Sequence, residues 1–242
     1  MRYLGGKSRL AKPIVNAILN HVPNRGLYIE PFIGGGSILC EAAPHFHTVW
    51  AADSHEDLIL LWQALQDGWE PPSELTQEEY DDLRYSKTPS ALRGFAGFPC
   101  SFGGKWFGGL AKGGFSGGKA RNHVDEGKRN CLAQARLISN VQFVRSDYKE
   151  LEPLPGSVVY CDPPYADTTS YSSTFDNVEF WEVMNAWVEI GAYVFVSEIK
   201  APDDWEPIWH LERRMGTTVN KTGISKESVK DCLYVHKSQN GQ

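Results

Sequence analysis

Residues 27–43, LYIEPFIGGGSILCEAA, contain a short apolar run, three consecutive glycines and a run of helix-forming residues. The apolar run (27–33) predicts a buried strand, and SILCEAA (37–43) predicts the helix that follows it. The three glycines allow a tight turn and let the backbone approach a ligand closely. This stretch therefore predicts the start of an alternating α/β pattern.

The alternation continues along the chain. Apolar runs predict further strands at 48–54, 140–147, 158–161 and 192–199, and helical periodicity is found at 57–65, 130–138 and 178–190. Strands that alternate with helices predict a mostly parallel, twisted sheet with helices on both faces. The tail from residue 211 onward predicts a closing antiparallel hairpin. The predicted fold class is α/β and Rossmann-like, with a small basic insert.

Composition is typical of a globular protein. The chain has 242 residues, of which 41% are apolar and 22% charged. No apolar run approaches the roughly 20 residues of a membrane span, and the start lacks a signal-peptide core, so we expect a cytosolic location. Five scattered cysteines without a C-x-x-C pair predict reduced thiols. We predict no metal site, and we expect His45 and His47 to lie in an exposed turn.

Charge is distributed unevenly. The formal net charge is −6, but residues 84–136 hold ten Lys or Arg and two acids. A basic segment inside an acidic body favours contact with DNA or RNA phosphates, and chance clustering on a solvated surface is the alternative. The candidate DNA-contacting residues are Arg84, Lys87, Arg93, Lys105, Lys112, Lys119 and Arg121.

Residues 88–120 interrupt the α/β pattern. They contain ten glycines, and six aromatic residues lie among the lysines and arginines. Cations can pair with phosphates while aromatic rings stack on bases, so this composition suits nucleic-acid contact. A small aromatic core is the structural alternative, and both can hold. We therefore predict a recognition insert at 55–135, between catalytic-domain segments at 1–54 and 136–242.

Acidic residues lie at or near the carboxyl ends of four of the predicted strands. These residues are Glu30, Asp53, Asp147 and Asp162. Ligands of open parallel sheets bind at the carboxyl ends of the strands, so we expect the four carboxylates on one rim. Because like charges repel and burial disfavours ionisation, the rim predicts a ligand with donors or positive charge.

The glycines and Asp53 together indicate the ligand class. Asp53 follows the glycines at about the spacing, roughly 20 residues, of the acid that binds ribose in dinucleotide folds. The turn FIGGGSI is not G-x-G-x-x-G, so NAD is not predicted. S-adenosyl-L-methionine fits better, with its ribose at Asp53, its adenine near Asp147 and its cationic groups at the acidic rim.

The fourth predicted strand ends in Asp162, Pro163, Pro164 and Tyr165. The two prolines fix the backbone and remove two N–H donors, so the Asp162 carboxylate and the carbonyls around it form a stiff set of acceptors. Such acceptors match the two hydrogens of an exocyclic amino group, and Tyr165 can stack on the ring that carries it. A plain strand-ending turn is the structural alternative.

Four motifs in order give the chain a resemblance to a known family. The motifs are RYLGGKSRL (2–10), YIEPFIGGGSI (28–38), AADSHEDLI (51–59) and YCDPPY (160–165). The chain resembles the adenine-N6-specific DNA methyltransferases of the Dam type, the alpha-ordered D12 class that includes phage and prophage members. The run GFPCSFGGKWFGG (97–109) resembles phage-type members more than the bacterial GATC enzyme, so the target sequence cannot be transferred.

The resemblance implies a class I methyltransferase fold and methyl transfer from S-adenosylmethionine to adenine N6. It also implies double-stranded DNA as substrate, base flipping, a role in restriction–modification and action in the bacterial cytoplasm, and we expect a monomer or weak dimer. The implied catalytic residues are Asp162, Pro163, Pro164 and Tyr165. The implied cofactor-binding residues are Tyr3, Gly6, Lys7, Glu30, Pro31, Phe32, Gly34, Gly35, Gly36, Asp53, Asp147 and Asp162.

Other functions stay open. A cytosine-N4 methyltransferase also acts on an exocyclic amine, although Ser-Pro-Pro is more usual there, and related protein or RNA methyltransferases tend to carry Asn-Pro-Pro-Tyr. Pro99-Cys100 matches the nucleophile motif of cytosine-C5 enzymes but lies in the basic insert. Residues 113–119 satisfy G-x-x-x-x-G-K, yet Ala120 replaces the hydroxyl residue that would bind Mg²⁺. A non-enzymatic DNA-binding module would leave the strand-end acids unexplained.

Overall fold

The computed structural model describes residues 1–116, 118–164, 175–214, 219–220, 223–224 and 228–240. Seven strands form the main sheet: β1 (Leu27–Glu30), β2 (Thr48–Asp53), β3 (Val141–Arg145), β4 (Val158–Cys161), β5 (Tyr193–Glu198), β6 (Trp205–Arg214) and β7 (Ser228–His236). Seven α-helices accompany them: α1 (Ala11–His21), α2 (Ser37–Ala42), α3 (Glu56–Gln66), α4 (Gln77–Tyr85), α5 (Ala91–Gly97), α6 (His123–Ala135) and α7 (Asn177–Glu189).

Shorter elements complete the described chain. The 3-10 turns are Ala43–His45, Phe102–Gly104, Tyr148–Glu150 and Lys237–Gln239. Two small antiparallel hairpins pair Phe115–Ser116 with Lys119–Ala120 and Val219–Asn220 with Gly223–Ile224.

The main sheet has the strand order β3-β2-β1-β4-β5-β7-β6. β2 pairs with β3, β1 with β4 and β4 with β5 in parallel, whereas β7 is antiparallel to both β5 and β6. This arrangement confirms the predicted mostly parallel sheet with an antiparallel C-terminal hairpin. The order reverses direction between β1 and β4, which is where doubly wound sheets bind ligands.

By its internal contacts the chain divides into two compact units. The first contains Met1–Lys12 and Glu30–Leu151, and the second contains Pro13–Ile29 and Glu152–Gln242. None of the helices in the described part of the chain has the length and apolarity that crossing a bilayer requires.

In the first unit, helix α3 packs against strand β3. Its buried positions include Leu58, Trp62 and Leu65, which recur at helical spacing. Trp62 stacks on Phe143 with ring centroids 6.1 Å apart, and Gln63 Nε2 donates to the Phe143 carbonyl at 3.1 Å. The first helix of the predicted insert is therefore also a supporting layer of the sheet.

The next helices of the first unit begin at side chains that cap them. Thr76 accepts from the Glu79 N–H while Glu79 accepts from the Thr76 N–H, a reciprocal capping box at the start of α4. Ser90 accepts from the Arg93 N–H at the start of α5, and Asn122 caps α6. The cap places the start of α6 at residue 123, whereas periodicity predicted a helix at 130–138.

In the second unit, β4 and β5 form the buried centre. All four residues of β4 are buried, and Tyr160 shares a hydrogen bond of 2.8 Å with Ser197 on β5. Asp176 caps helix α7 by accepting from two backbone N–H groups. The long β6–β7 pair shifts register at Leu233/Tyr234, and Pro207 lies opposite Tyr234.

Candidate functional site

The Asp53 carboxylate lies at the end of β2 and is held by two backbone donors. The Gly34 N–H donates to Oδ2 at 3.1 Å and the His55 N–H donates to Oδ1 at 3.0 Å. Burial raises the pKa of Asp53 to about 6, although both hydrogen bonds favour the ionised form. The side chain is half-buried and its orientation is set by the backbone on either side.

Glycines 34, 35 and 36, here called the glycine loop, pack tightly against the chain's own side chains. Gly34 and Gly36 have φ values of +42° and +64°. A Cβ on Gly34 would lie 2.8 Å from Tyr3 Cε1, and one on Gly36 would lie 2.5 Å from Trp62 Cζ2. The space beside these glycines is therefore filled, in part, by the side chains of Tyr3 and Trp62.

The loop carbonyls accept from side chains that the sequence analysis did not single out. Trp62 Nε1 donates to the Gly34 carbonyl at 3.2 Å, and Gln134 Nε2 donates to the Gly35 carbonyl at 3.0 Å. Trp62 could have been found from its place on the apolar face of α3. Gln134 carries no such signal, because it is one polar residue on a largely polar helix.

His55 joins the Asp53 segment to the predicted insert. Its ring lies edge-on to Trp106 at 4.2 Å and to Phe98 at 5.0 Å between centroids. Burial lowers the pKa of His55, so the ring is neutral at pH 7. His55 Nδ1 is buried without a hydrogen-bond partner among the described residues. Sequence reasoning missed this residue, although it follows Asp53 by two positions.

Lys7, Glu30 and Pro31 are buried in the first unit. Lys7 is 5% exposed and Glu30 is 2% exposed. Ionisable side chains are seldom buried this deeply unless they are paired. Gly6 is exposed, and its N–H donates to the Tyr3 carbonyl at 3.1 Å.

Phe32 and Asp147 were predicted near the cofactor, and both are half-buried. The Phe32 ring lies 5.2 Å from the ring of Tyr148. Asp147 Oδ1 accepts from the Lys149 N–H at 3.0 Å, which caps the 3-10 turn Tyr148–Glu150. One oxygen of Asp147 is therefore already engaged by the backbone.

The predicted catalytic residues belong to the second unit. Asp162 follows strand β4, which pairs with β1 through Ile29 and Val159 and with β5 along its whole length. Asp162 is half-buried, Pro163 is buried and Pro164 is half-buried. A strand paired on both sides and a proline pair hold this acid at a fixed position. Tyr165 lies outside the described residues.

The predicted DNA-contacting residues differ in exposure. Arg84, Lys87, Lys105, Lys112 and Arg121 are exposed. The Lys119 side chain lies outside the described part of the chain.

Two of these arginines are paired with acids. Arg93 is half-buried, donates to Asp57 Oδ2 at 2.5 Å and stacks over Trp106 at 4.9 Å. Arg121 forms a two-point ion pair with Glu126 at 2.8 and 2.6 Å, although it remains exposed. The contacts with Asp57 and Trp106 give Arg93 a packing role inside the first unit.

The aromatic residues of the insert divide into two groups. Tyr80 and Phe107 form a small core with Ala96. Phe95 and Phe98 are also buried. Phe102 and Phe115 are 75% and 78% exposed. The insert therefore contains the small aromatic core that was the structural alternative, and two of its rings remain on the surface.

The structure gives no support to the competing motifs. In the described part of 113–119, Phe115–Ser116 pairs with Lys119–Ala120 as an antiparallel hairpin, and these described residues show no strand-to-helix turn of the phosphate-binding kind. Cys100 is buried, and burial raises its pKa, which disfavours a nucleophilic thiolate. None of the five cysteines, all within the described residues, forms a disulfide. His45 and His47 are exposed, and no cluster of metal-ligating residues occurs among the described residues.

Residues 3–92 match the family model of the D12 class N6 adenine-specific DNA methyltransferases. This part of the chain is similar to these enzymes. Residues 3–92, here called the D12-class region, contain Tyr3, the glycine loop and Asp53. The match confirms the resemblance predicted from the motifs. It ends before Arg93, so most of the basic insert lies beyond it.

A curated protein and two solved structures are also similar to the chain. A DNA adenine methylase of Vibrio cholerae serotype O1 is 27% identical over 186 residues, which is 69% of this chain and 64% of that protein. The chain thus spans less than two thirds of the length of this curated protein. Two solved structures are similar over most of this chain. An rRNA methylase from Streptococcus thermophilus is 9% identical and has a TM-score of 0.43, and the match covers 93% of this chain and 95% of that one. The tRNA (m1A58) methyltransferase TrmI from Aquifex aeolicus is 10% identical and has a TM-score of 0.40, and the match covers 94% of this chain and 68% of that one.

Proposed function

We propose that this protein transfers a methyl group from S-adenosylmethionine to the N6 amino group of adenine in double-stranded DNA. The observation that carries the proposal is the Asp53 carboxylate, held by the Gly34 and His55 N–H groups inside the D12-class region. A carboxylate fixed at a strand end beside a glycine loop suits a ribose-containing cofactor.

The residues present fit this cofactor. A carboxylate has about four acceptor positions, and the two backbone donors leave room on Asp53 for ribose hydroxyls. When bound, S-adenosylmethionine supplies an activated methyl group. The other residues proposed to hold it are Tyr3, Gly6, Lys7, Glu30, Pro31, Phe32, the glycine loop and Asp147.

Asp162 and the Pro163 carbonyl are proposed to accept the two hydrogens of the adenine amino group. The nitrogen lone pair is otherwise delocalised into the ring, and two fixed acceptors turn it towards a nucleophilic geometry. They also stabilise the positive charge that develops on the nitrogen. A carboxylate such as that of Asp162 is far too weak a base to deprotonate a neutral aromatic amine first, so proton loss follows methylation.

DNA is proposed to contact the exposed cations of the insert. Arg84, Lys87, Lys105 and Lys112 would neutralise phosphates, and the exposed ring of Phe102 is available to stack on a base. Adenine N6 must leave the duplex stack to reach Asp162, so the proposal includes base flipping, with Tyr165 stacking on the flipped base. Such a reaction would take place on DNA in the bacterial cytoplasm.

Incubation with labelled S-adenosylmethionine and double-stranded DNA, followed by digestion and nucleoside analysis, tests the proposal. We expect the label in N6-methyldeoxyadenosine. Label in N4-methyldeoxycytidine would replace the proposal by cytosine-N4 methylation. DNA binding without any transfer or cofactor binding would replace it by a non-enzymatic DNA-binding module.

A further inference from the structure

The 3-10 turn Phe102–Gly104 of the insert lies directly against the N-terminal motif. The Leu4 N–H donates to the Gly104 carbonyl at 3.1 Å. Gly104 has a φ of +69°, and a Cβ there would lie 2.6 Å from both the N and Cα atoms of Tyr3. Backbone therefore meets backbone at this junction, with no space for a side chain.

Tyr3 contacts the glycine loop with its side chain. A Cβ on Gly34 would lie 2.8 Å from Tyr3 Cε1, and one on Gly35 would lie 2.8 Å from Tyr3 Cβ. Gly34 in turn donates to Asp53. A continuous series of close contacts thus runs from the insert turn through Tyr3 to the Asp53 carboxylate, all within the first unit.

A second series of contacts runs parallel to the first. The Phe98 ring lies 5.0 Å from the ring of Tyr3 and 5.0 Å from the ring of His55. His55 donates its backbone N–H to the other oxygen of Asp53. Both donors that hold Asp53 are therefore connected to residues of the insert.

We propose that Gly104 is a positioning residue for the cofactor site: the insert turn holds Tyr3 against the glycine loop, and Phe98 supports the same tyrosine. This inference rests on the proposed function, because it assigns the insert a part in binding S-adenosylmethionine as well as DNA. Displacing the turn moves Tyr3 away from the glycine loop and weakens the hold of the Gly34 N–H on the Asp53 carboxylate.

Gly103 offers a matched control. It also has a positive φ, +64°, but a Cβ there meets nothing within 4 Å. Gly103→Ala and Gly104→Ala therefore carry the same kind of backbone strain, and only Gly104→Ala collides with Tyr3. Thermal unfolding of both variants checks that each is folded.

The test is calorimetric binding of S-adenosylhomocysteine to the full chain without DNA, with steady-state kinetics alongside. We expect Gly104→Ala to weaken binding at least about tenfold relative to Gly103→Ala, because misplaced binding groups lose most of their effect. The KM for S-adenosylmethionine should rise in parallel, while kcat at saturating cofactor changes little. Equal affinity in the two variants would overturn the inference.

A second pair of variants serves if Gly104→Ala does not fold. Phe98→Leu removes the ring beside Tyr3, whereas Phe95→Leu removes an equally buried ring whose aromatic neighbour is Trp69. We expect weaker S-adenosylhomocysteine binding only in Phe98→Leu, and equal affinities would overturn the inference. A wild-type chain that does not bind S-adenosylhomocysteine would overturn the proposed function and this inference together.

Discussion

Gly34 and Asp53 are joined by a hydrogen bond of 3.1 Å from the Gly34 N–H to Asp53 Oδ2. The loop that follows β1 is therefore bonded directly to the acid that ends β2. The His55 N–H is the second donor to the same carboxylate. Because the carboxylate is oriented before any ligand arrives, little reorganisation is needed for it to accept hydroxyl groups.

Asp53 gives the proposed cofactor binding a specific pH dependence. Burial raises the pKa of Asp53 to about 6, and only the ionised carboxylate accepts from both backbone donors and from hydroxyls. We expect the affinity for S-adenosylhomocysteine to increase roughly tenfold from pH 5 to pH 7, as the carboxylate ionises. Asp53→Asn should bind weakly at both pH values, and an unchanged pH profile in that variant would contradict the prediction.

The same shift makes a prediction for stability. The unfolded chain ionises Asp53 near pH 4, whereas the folded chain does so near 6. The folded state thus binds more protons between these values, and its stability falls as pH rises through this window, by roughly 2–3 kcal/mol from this group. Denaturant unfolding of wild type and Asp53→Asn at pH 4 and pH 7 should show this loss as the difference between the pH dependences of the two proteins.

Arg93 and Lys105 should behave differently although both were predicted to contact DNA. Arg93 is paired with the buried Asp57 and covered by Trp106, so Arg93→Ala leaves a buried charge and should lower the unfolding free energy by roughly 3–5 kcal/mol. Lys105→Ala should leave stability unchanged and reduce the salt-dependence slope of DNA binding by about one unit. A stable Arg93→Ala variant with a reduced slope would instead make Arg93 a phosphate contact.

Strands β1, β2, β4 and β5 could be predicted from the sequence because they are short apolar runs that end at an acid or directly before one. The run 158–161 coincides with β4, and the run 48–54 exceeds β2 (Thr48–Asp53) by one residue. The first strand was predicted to run through residue 33 but ends at Glu30. Pro31 follows at once and lacks the N–H that a paired strand would use.

The insert could be predicted in composition but not in structure. Gly104, at positive φ, and the buried ring of Phe98 depend on a partner distant in the chain, because both contact Tyr3. Local propensity does not report such contacts. One signal was available, because Thr76 and Glu79 have the spacing of a capping box and mark the start of α4.

Cys100 should be dispensable for catalysis. The thiol is buried in the first unit and its pKa is raised by burial, so a thiolate nucleophile is disfavoured. Cys100→Ala should retain methyl transfer to adenine, as should the control Cys131→Ala, which removes another buried thiol. Loss of activity in Cys100→Ala alone, with 5-methylcytosine as the wild-type product, would show cytosine-C5 chemistry.

Asp162 should be required for turnover. It follows strand β4, which is paired on both sides, and precedes two prolines, so its backbone is fixed while its side chain is half-buried. Asp162→Ala and Asp162→Asn should lower kcat by at least about 10²-fold, because the first removes the acceptor and the second removes the negative charge that stabilises the positive charge developing on the amino group. Single-turnover methylation measures this loss, and thermal unfolding checks the fold. The control is Asp203→Asn, which changes an exposed acid of the same unit and should methylate DNA at the wild-type rate. Near-normal turnover by Asp162→Ala would show that Asp162 has no part in the reaction.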